Sequence, residues 1–117
     1  GFYYICDRKK DMIISGGMNI CPAEIESALE VYEKIYEAAV FGIPSEEWGE
    51  SVHATVVASP GVRLTETEVM EFSRQHLAGY KIPRSVSFID ELPRTGSGKV
   101  LKRVLREPFW KEHNTKI

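Results

Sequence analysis

The stretch Tyr36–Ser59, YEAAVFGIPSEEWGESVHATVVAS, decides the fold. It contains two runs, YEAAVFGI and SVHATVVAS, that are rich in the residues that favour β-strands. The segment between them, PSEEWGE, has the proline, glycine and acidic residues that are typical of a turn. The sequence therefore predicts two successive strands of a small sheet.

Helical patterns flank this pair of strands. Pro22 opens a first helix, in which apolar residues recur at three- and four-residue spacing. Thr65 and Glu68 match a capping box ahead of a second apolar series, which Gly79 ends. A further strand, SVSFI, precedes the apolar stripe of VLKRVLR, which predicts a third helix that stops before Pro108.

The N-terminal segments complete the predicted order. FYYIC and DMIIS are short apolar runs separated by the charged DRKK, so we expect a hairpin there, followed by GGMN as a loop. The order β-β-α-β-β-α-β-α predicts one α+β domain over residues 1–117. It would comprise a small mixed or antiparallel sheet, an N-terminal β-hairpin and about three helices.

Composition narrows the class of protein. The 117 residues are 43% hydrophobic and 27% charged with a net charge of −2, the profile of an ordinary globular domain, so neither a nucleic acid nor an anionic membrane is indicated as a partner. No apolar run approaches the roughly 20 residues of a transmembrane helix. The N-terminus lacks the basic-then-apolar order of a signal peptide, and we expect a cytoplasmic protein.

Cysteines and histidines predict no metal site. Cys6 and Cys21 form no CxxC pair, and we expect reduced thiols. His53 and His76 fall on strand and helix faces, where packing is their expected role, and His113 lies in a polar tail.

The segment LPRTGSGKVLKR places Lys99 after a glycine-serine-glycine turn and ahead of the third helix. It is not a Walker-type phosphate loop, because Pro93 occupies the first glycine position and Val100 stands where a hydroxyl group should hold magnesium. A solvated lysine in a turn is the simplest interpretation. However, the N-terminus of a helix repels cations, and a bound anion would remove that conflict.

A second segment, DRKKDMIISGGMNICPAEIE, gives Lys99 a context. By itself it is a charged turn and a glycine loop ahead of a helix. Together with LPRTGSGKVLKR, and with IPSEEWGESVHATVV and LAGYKIPRSV between them, it resembles the C-terminal domain of the acyl-adenylate-forming (AMP-binding) superfamily. The resemblance covers nearly the whole chain and is strongest to acyl-CoA synthetases of the fatty-acid–CoA ligase type.

This resemblance implies an ATP-dependent ligase that works in two half-reactions. A carboxylate attacks the α-phosphate of ATP to give an acyl-adenylate and pyrophosphate; the thiol of CoA then attacks the acyl carbon and expels AMP. A large N-terminal domain, absent from this chain, would bind ATP, Mg²⁺ and the acid. The small domain would close over it as a mobile lid, and by itself we expect it to fold but not to catalyse.

The resemblance also assigns roles to residues. Lys99 matches the adenylation lysine, and Arg8 matches an arginine that approaches the ribose hydroxyls, although a salt bridge to a neighbouring aspartate is an alternative. Lys10 matches the hinge about which the domain rotates. The Gly16-Gly17 pair would let the pantetheine arm of CoA pass.

Further residues are assigned to the CoA nucleotide. Trp48 and Tyr80 resemble aromatic positions at that site, although Trp48 equally fits a cover over the sheet edge. Lys81 and Arg84 would meet a CoA phosphate by charge. Glu24 is expected to be structural, at a helix N-terminus. An acetyltransferase and an opposing deacylase are implied partners, because acetylation would remove the charge of the adenylation lysine.

Two alternatives remain open at the level of function. One is an adenylation enzyme that acylates a carrier-protein pantetheine, or a luciferase-like relative. The other is a non-catalytic, stand-alone domain that binds a nucleotide, a partner or a second copy of itself.

Overall fold

The structure is a computed structural model and describes residues 12–47, 49–77 and 79–115, without the side chains of Tyr80 and residues 112–115. These residues contain five strands and three α-helices, and the order from the first helix to the third is the predicted one; a short 3₁₀ helix lies at Gly79–Lys81. The strands are β1 (Ile13–Ser15), β2 (Met18–Ile20), β3 (Ile35–Ser45), β4 (Gly49–Ala58) and β5 (Ser85–Phe88), and the helices are α1 (Pro22–Glu30), α2 (Glu66–His76) and α3 (Lys102–Thr115).

The long antiparallel hairpin of β3 and β4 forms the middle of the molecule, with Val40 opposite Ala54 and Gly42 opposite Val52. The strand order is β2-β1-β4-β3, and β5 also pairs with β4, in the parallel sense. The sheet is therefore mixed, and the predicted α+β class is confirmed.

The alternation of side chains along β3 and β4 builds two apolar layers, because successive residues of a strand point to opposite faces. One face carries the main core with residues of α1 and α2, among them Ile25, Leu29, Val40 and Val69. The other face carries a smaller cluster centred on Ala39, Val57 and Leu92, and α3 packs on this side against β3. Helices thus cover both faces of the hairpin.

The capping box of α2 is confirmed. The Thr65 hydroxyl accepts from the Glu68 backbone N–H at 3.2 Å, and the Glu68 carboxylate accepts from the Thr65 N–H at 3.2 Å. These two bonds satisfy N–H groups that would otherwise lack partners at the helix start.

The prediction that the third helix stops before Pro108 is wrong, because α3 continues through that proline to Thr115. Proline removes one backbone hydrogen bond from a helix, but tertiary contacts hold the following turn. The Trp110 indole N–H donates to the Gly42 carbonyl at 3.0 Å, and the Phe109 ring packs on Phe41 and His53.

The N-terminal hairpin differs from the prediction. Ile13–Ser15 pairs with Met18–Ile20, so Met18 and Asn19 belong to a strand and not to a loop. Gly16 and Gly17 alone make the turn, with φ of 57° and 82°. A two-residue hairpin turn of type I′ has positive φ at both central positions, and glycine supplies it without strain. The FYYIC run, which was predicted to pair here, lies outside the described residues.

Cys21 is disulfide-bonded, so the expectation of a reduced thiol is wrong for this residue. That expectation used cellular compartment and cysteine spacing. Neither of them reports which cysteines the fold brings together.

Candidate active site

Lys99 lies in a tightly hydrogen-bonded loop between Arg94 and Val100, two residues that form an isolated antiparallel bridge. The Thr95 N–H donates to the Lys99 carbonyl at 2.8 Å, and the Lys99 N–H donates to the Thr95 hydroxyl at 3.1 Å. The Gly98 N–H donates to the Thr95 carbonyl at 2.9 Å, where Gly98 has a positive φ of 89°. The backbone of this loop is therefore fixed although its side chains face solvent.

The side chain of Lys99 is exposed, and within the described part of the chain its ammonium group makes no hydrogen bond or ion pair. The base of the loop, by contrast, is anchored in the smaller apolar cluster, where Leu92 is 5% exposed and Val100 packs against it. A fixed backbone with a free ammonium group suits a residue that binds an anion from another domain or ligand.

Arg94 joins the loop to the sheet. One guanidinium nitrogen donates to the Gly98 carbonyl at 2.8 Å, and the other pairs with the Glu37 carboxylate on β3. The planar guanidinium group can make both contacts at once. Arg94 therefore links the residue before Lys99 to the edge strand of the sheet.

A second link follows Lys99. The Lys102 ammonium, at the start of α3, lies 2.7 Å from the Glu26 carboxylate on α1. The same Glu26 oxygen accepts the Val40 N–H at 2.8 Å, and Glu30 accepts the Ala38 N–H at 3.3 Å. These bonds satisfy N–H groups on the open edge of β3, which would otherwise be free to pair with another strand.

The glycine turn lies at the opposite edge of the sheet, between β1 and β2. An added Cβ at Gly17 would meet nothing within 4 Å, so the turn is open on that side. The Glu50 carboxylate holds the hairpin by accepting the Ile14 N–H at 3.2 Å. Lys99 and the glycine pair are therefore attached to opposite edges of one sheet.

The remaining predicted site residues are not brought to Lys99 by any described contact. Lys81 pairs with Glu24 at 2.6 Å, so that Glu24 has the structural role expected of it and Lys81 is engaged within the domain. Arg8, Lys10 and Trp48 lie outside the described residues, as does the side chain of Tyr80. Their roles stay predictions.

The expected packing role of His53 agrees with its surroundings. It is 3% exposed, with Nδ1 2.7 Å from the Ser85 hydroxyl and Nε2 2.9 Å from the Ser87 hydroxyl. Burial lowers the pKa of His53 to about 4, so it is neutral at pH 7. His76 stacks on Phe72 at a ring-centroid distance of 4.1 Å.

Sequence reasoning missed Arg94, Glu37, Glu26 and Glu50 as residues that hold the two segments. Arg94 lies inside the quoted lysine segment, and its position there was a usable signal. The three glutamates gave none, because their partners are distant in sequence.

The described residues contain neither a metal-binding cluster nor a membrane-spanning helix. Residues 12–47, 49–77 and 79–115 contain no group of three or more histidine, cysteine or acidic side chains arranged to hold a metal ion. Over the same ranges, no helix combines the length and the apolar character that crossing a membrane requires.

Comparisons with known proteins place the fold in a family. The sequence model described as AMP-binding enzyme C-terminal domain matches residues 24–99. A methyl-dioxo-octahydro-indenyl-propanoyl:CoA ligase of Rhodococcus jostii is 54% identical over 107 residues, covering 92% of this chain and 21% of the relative. The fatty acid–acyl-carrier-protein ligase ScoC of Streptomyces coeruleorubidus is 45% identical over 117 residues, covering 100% of this chain and 22% of the relative.

A solved structure, the Mycobacterium tuberculosis fatty acyl CoA synthetase, matches with a TM-score of 0.82 and 48% identity, covering 91% of this chain and 21% of that one. The chain thus spans about a fifth of the length of the relatives that it matches. Since the family model covers more than half of the sequence and the fold agrees, the chain belongs to the AMP-binding enzyme C-terminal domain family.

Proposed function

We propose that this chain is the mobile C-terminal domain of an ATP-dependent acyl-CoA synthetase that activates a carboxylic acid, of the fatty-acid class, as an acyl-adenylate. The observation that carries the proposal is the exposed ammonium group of Lys99 on a fixed loop, which has no partner among the residues that the structure describes. The family match and the names of the relatives support it.

Lys99 would act in the first half-reaction. The attacking carboxylate and the α-phosphate of ATP are both anionic, so a cation placed between them offsets their repulsion and orients the attack. ATP and the acid would be bound by an N-terminal domain of the same enzyme, which would also hold Mg²⁺. Arg8 would bind the ribose hydroxyls.

The second half-reaction would use the opposite edge of the sheet, where the turn joins β1 and β2. Rotation about Lys10 would replace Lys99 with the turn of Gly16 and Gly17, which is open at Gly17 and beside which the thin pantetheine arm of CoA would pass. Trp48 and Tyr80 remain proposed contacts for the CoA nucleotide. Lys81 would have to share or leave its pair with Glu24 to bind a CoA phosphate.

Regulation and location are also proposed. Acetylation of Lys99 would remove the charge needed for adenylation, and an acetyltransferase with an opposing deacylase would control it. The composition of an ordinary globular domain supports the proposed cytoplasmic location, whereas a disulfide at Cys21 is unusual in that compartment.

A carrier protein is the second candidate acceptor, because the relative ScoC is a fatty acid–acyl-carrier-protein ligase. Both acceptors present a pantetheine thiol, so the same turn would serve either. Transfer from a supplied acyl-adenylate to CoA or to a carrier protein, measured side by side, decides between them. If neither accepts the acyl group, the non-catalytic alternative gains support.

The test of the proposal is Lys99→Ala in the full-length enzyme. We expect acyl-adenylate formation to fall by about a hundredfold or more, the scale on which lost transition-state contacts act. Transfer to CoA from supplied acyl-adenylate should be unchanged. Arg103→Ala, which removes a neighbouring exposed cation, is the matched control and should change neither rate. An equal fall in both half-reactions of Lys99→Ala would contradict the proposed role.

A further inference from the structure

We propose that Arg94 and Glu37 are positioning residues for adenylation, which set where the Lys99 side chain can reach. This inference rests on the proposed function of Lys99, and it gives a catalytic purpose to the contacts of two residues that hold the loop.

The contacts show how the positioning would work. Arg94 holds the carbonyl of Gly98, the residue immediately before Lys99, and is itself held by Glu37 on β3. Glu37 belongs to β3, which pairs with β4 along nearly its whole length. The route from the rigid sheet to the lysine therefore passes through two side chains and one carbonyl.

The exposure of the Arg94–Glu37 ion pair indicates that it contributes little to the stability of the fold. The side chains of Arg94 and Glu37 are 39% and 20% exposed. Ion pairs of this exposure contribute only about 0 to 1 kcal/mol to the free energy of unfolding. The position of the Lys99 ammonium group, in contrast, is sensitive to such a link. A displacement of a catalytic group by about 1 Å can lower the reaction rate by about a hundredfold.

The ion pair that follows Lys99 in the sequence, between Lys102 and Glu26, also involves the backbone of the sheet. Lys102 pairs with Glu26, whose carboxylate also accepts the Val40 N–H at the sheet edge. Removing Glu26 would therefore free a backbone group and disturb the fold. Glu37 makes no such backbone contact within the described residues, so it is the cleaner residue to change.

The experiment compares Arg94→Met, Glu37→Gln and the double variant in the full-length enzyme. We expect each single variant to lower the rate constant of acyl-adenylate formation by about tenfold with little change in the KM for ATP, since a displaced lysine slows chemistry more than binding. Because the two residues form one link, the double variant should be no slower than the slower single variant. Transfer to CoA should keep its rate.

Arg94→Lys is the conservative variant. It retains the charge and so the attraction to Glu37, but it lacks the planar fork that also reaches Gly98. We expect an adenylation rate between those of the wild type and Arg94→Met. Lys34→Met is the matched control, since it removes an exposed ion pair, to Glu68, that does not touch the loop.

A second readout is independent of activity. The amide hydrogens of Gly98 and Lys99 are bonded within the loop, and Glu37→Gln should speed their exchange with solvent by severalfold. In the Lys34→Met control their exchange should not change.

The outcomes separate this inference from the proposed function. If Lys99→Ala blocks adenylation but Arg94→Met behaves like Lys34→Met, the positioning role is wrong and the role of Lys99 stands. If Lys99→Ala leaves adenylation intact, the proposed function is wrong. The contacts of Arg94 with Glu37 and Gly98 then have no catalytic role. Unchanged amide exchange in Glu37→Gln, or an equal loss of both half-reactions in Arg94→Met, would also overturn the inference.

Discussion

His53 shows how one buried side chain makes stability depend on pH. It lies on β4 with Ser85, Ser87 and the Phe109 ring around it, and it is neutral in the folded state because burial disfavours the charged form. In the unfolded chain its pKa returns to its ordinary value of 6.5. Between pH 6.5 and about 4, the unfolded state therefore binds more protons than the folded state.

The sign of the effect follows from this difference. The contribution of His53 is fully present above pH 6.5, and it is lost as the pH falls toward about 4. At about 1.4 kcal/mol per pKa unit, the loss is about 3 kcal/mol. We expect His53→Gln to lower stability at pH 7 but to remove this part of the pH dependence.

Urea unfolding of the 117-residue chain between pH 7 and pH 4.5 measures it. Carboxylates titrate in both proteins, so the difference between the two curves isolates the histidine. Parallel curves for the wild type and His53→Gln would contradict this account.

Some functional residues could be recognised from short sequence motifs, and others could not. Lys99 and the glycine pair could be recognised as candidate site residues because each lies in a short, contiguous sequence motif. Glu37 was not found, because its partner Arg94 reaches it only after the chain has formed the whole sheet. The low pKa of His53 was equally hidden, since it depends on burial beneath α3.

At the scale of elements, Gly42 couples the long β3–β4 hairpin to the short β1–β2 hairpin. An added Cβ at Gly42 would collide with the Glu50 carboxylate and lie 3.3 Å from Cγ2 of Ile13. That carboxylate accepts the Ile14 N–H at 3.2 Å. The absence of a side chain at Gly42 thus makes room for the contact that holds the glycine turn.

We predict that Gly42→Ala displaces Glu50 and frees the Ile14 amide. Loss of one hydrogen bond worth about 1 kcal/mol should speed amide exchange at Ile14 by roughly five- to tenfold. Gly79→Ala is the matched control, since a Cβ there meets nothing within 4 Å. Unchanged exchange at Ile14 in a folded Gly42→Ala protein would show that the carboxylate does not hold the hairpin.

The type of most elements was predictable from the sequence, with β2 as an exception, but the ends of the elements were less so. The apolar and β-branched runs identified β3, β4 and β5, and the capping box identified α2. The extension of α3 through Pro108 was not predictable, because Trp110 reaches Gly42 only in the folded state. A proline signal is local, whereas the contact that overrides it is not.

At the scale of the whole molecule, the sheet separates the loop of Lys99 from the turn of Gly16 and Gly17. The loop of Lys99 is linked to β3 at one edge, and the turn of Gly16 and Gly17 joins β1 and β2 at the other. The order from α1 to α3 was predicted, but the strand β2, the pairing of β1 with β4 and the parallel pairing of β4 with β5 were not. Such pairings depend on contacts between segments far apart in sequence.

We propose that one domain serves two half-reactions by turning either edge of this sheet toward the acyl group. Lys10 precedes β1 in the sequence and is the proposed pivot. Proline fixes φ, so Lys10→Pro should restrict the change in torsion angle that rotation needs. Lys10→Ala, which keeps that freedom, is the control.

The most direct measurement is the single-turnover rate of each half-reaction in full-length Lys10→Pro enzyme that circular dichroism shows to be folded. If the trapped orientation is the one that presents Lys99, we predict acyl-adenylate formation near the rate of Lys10→Ala. Transfer to CoA should then be lower by about a hundredfold, as expected for a blocked conformational step. A folded Lys10→Pro enzyme that runs both half-reactions at the rates of Lys10→Ala would contradict the claim.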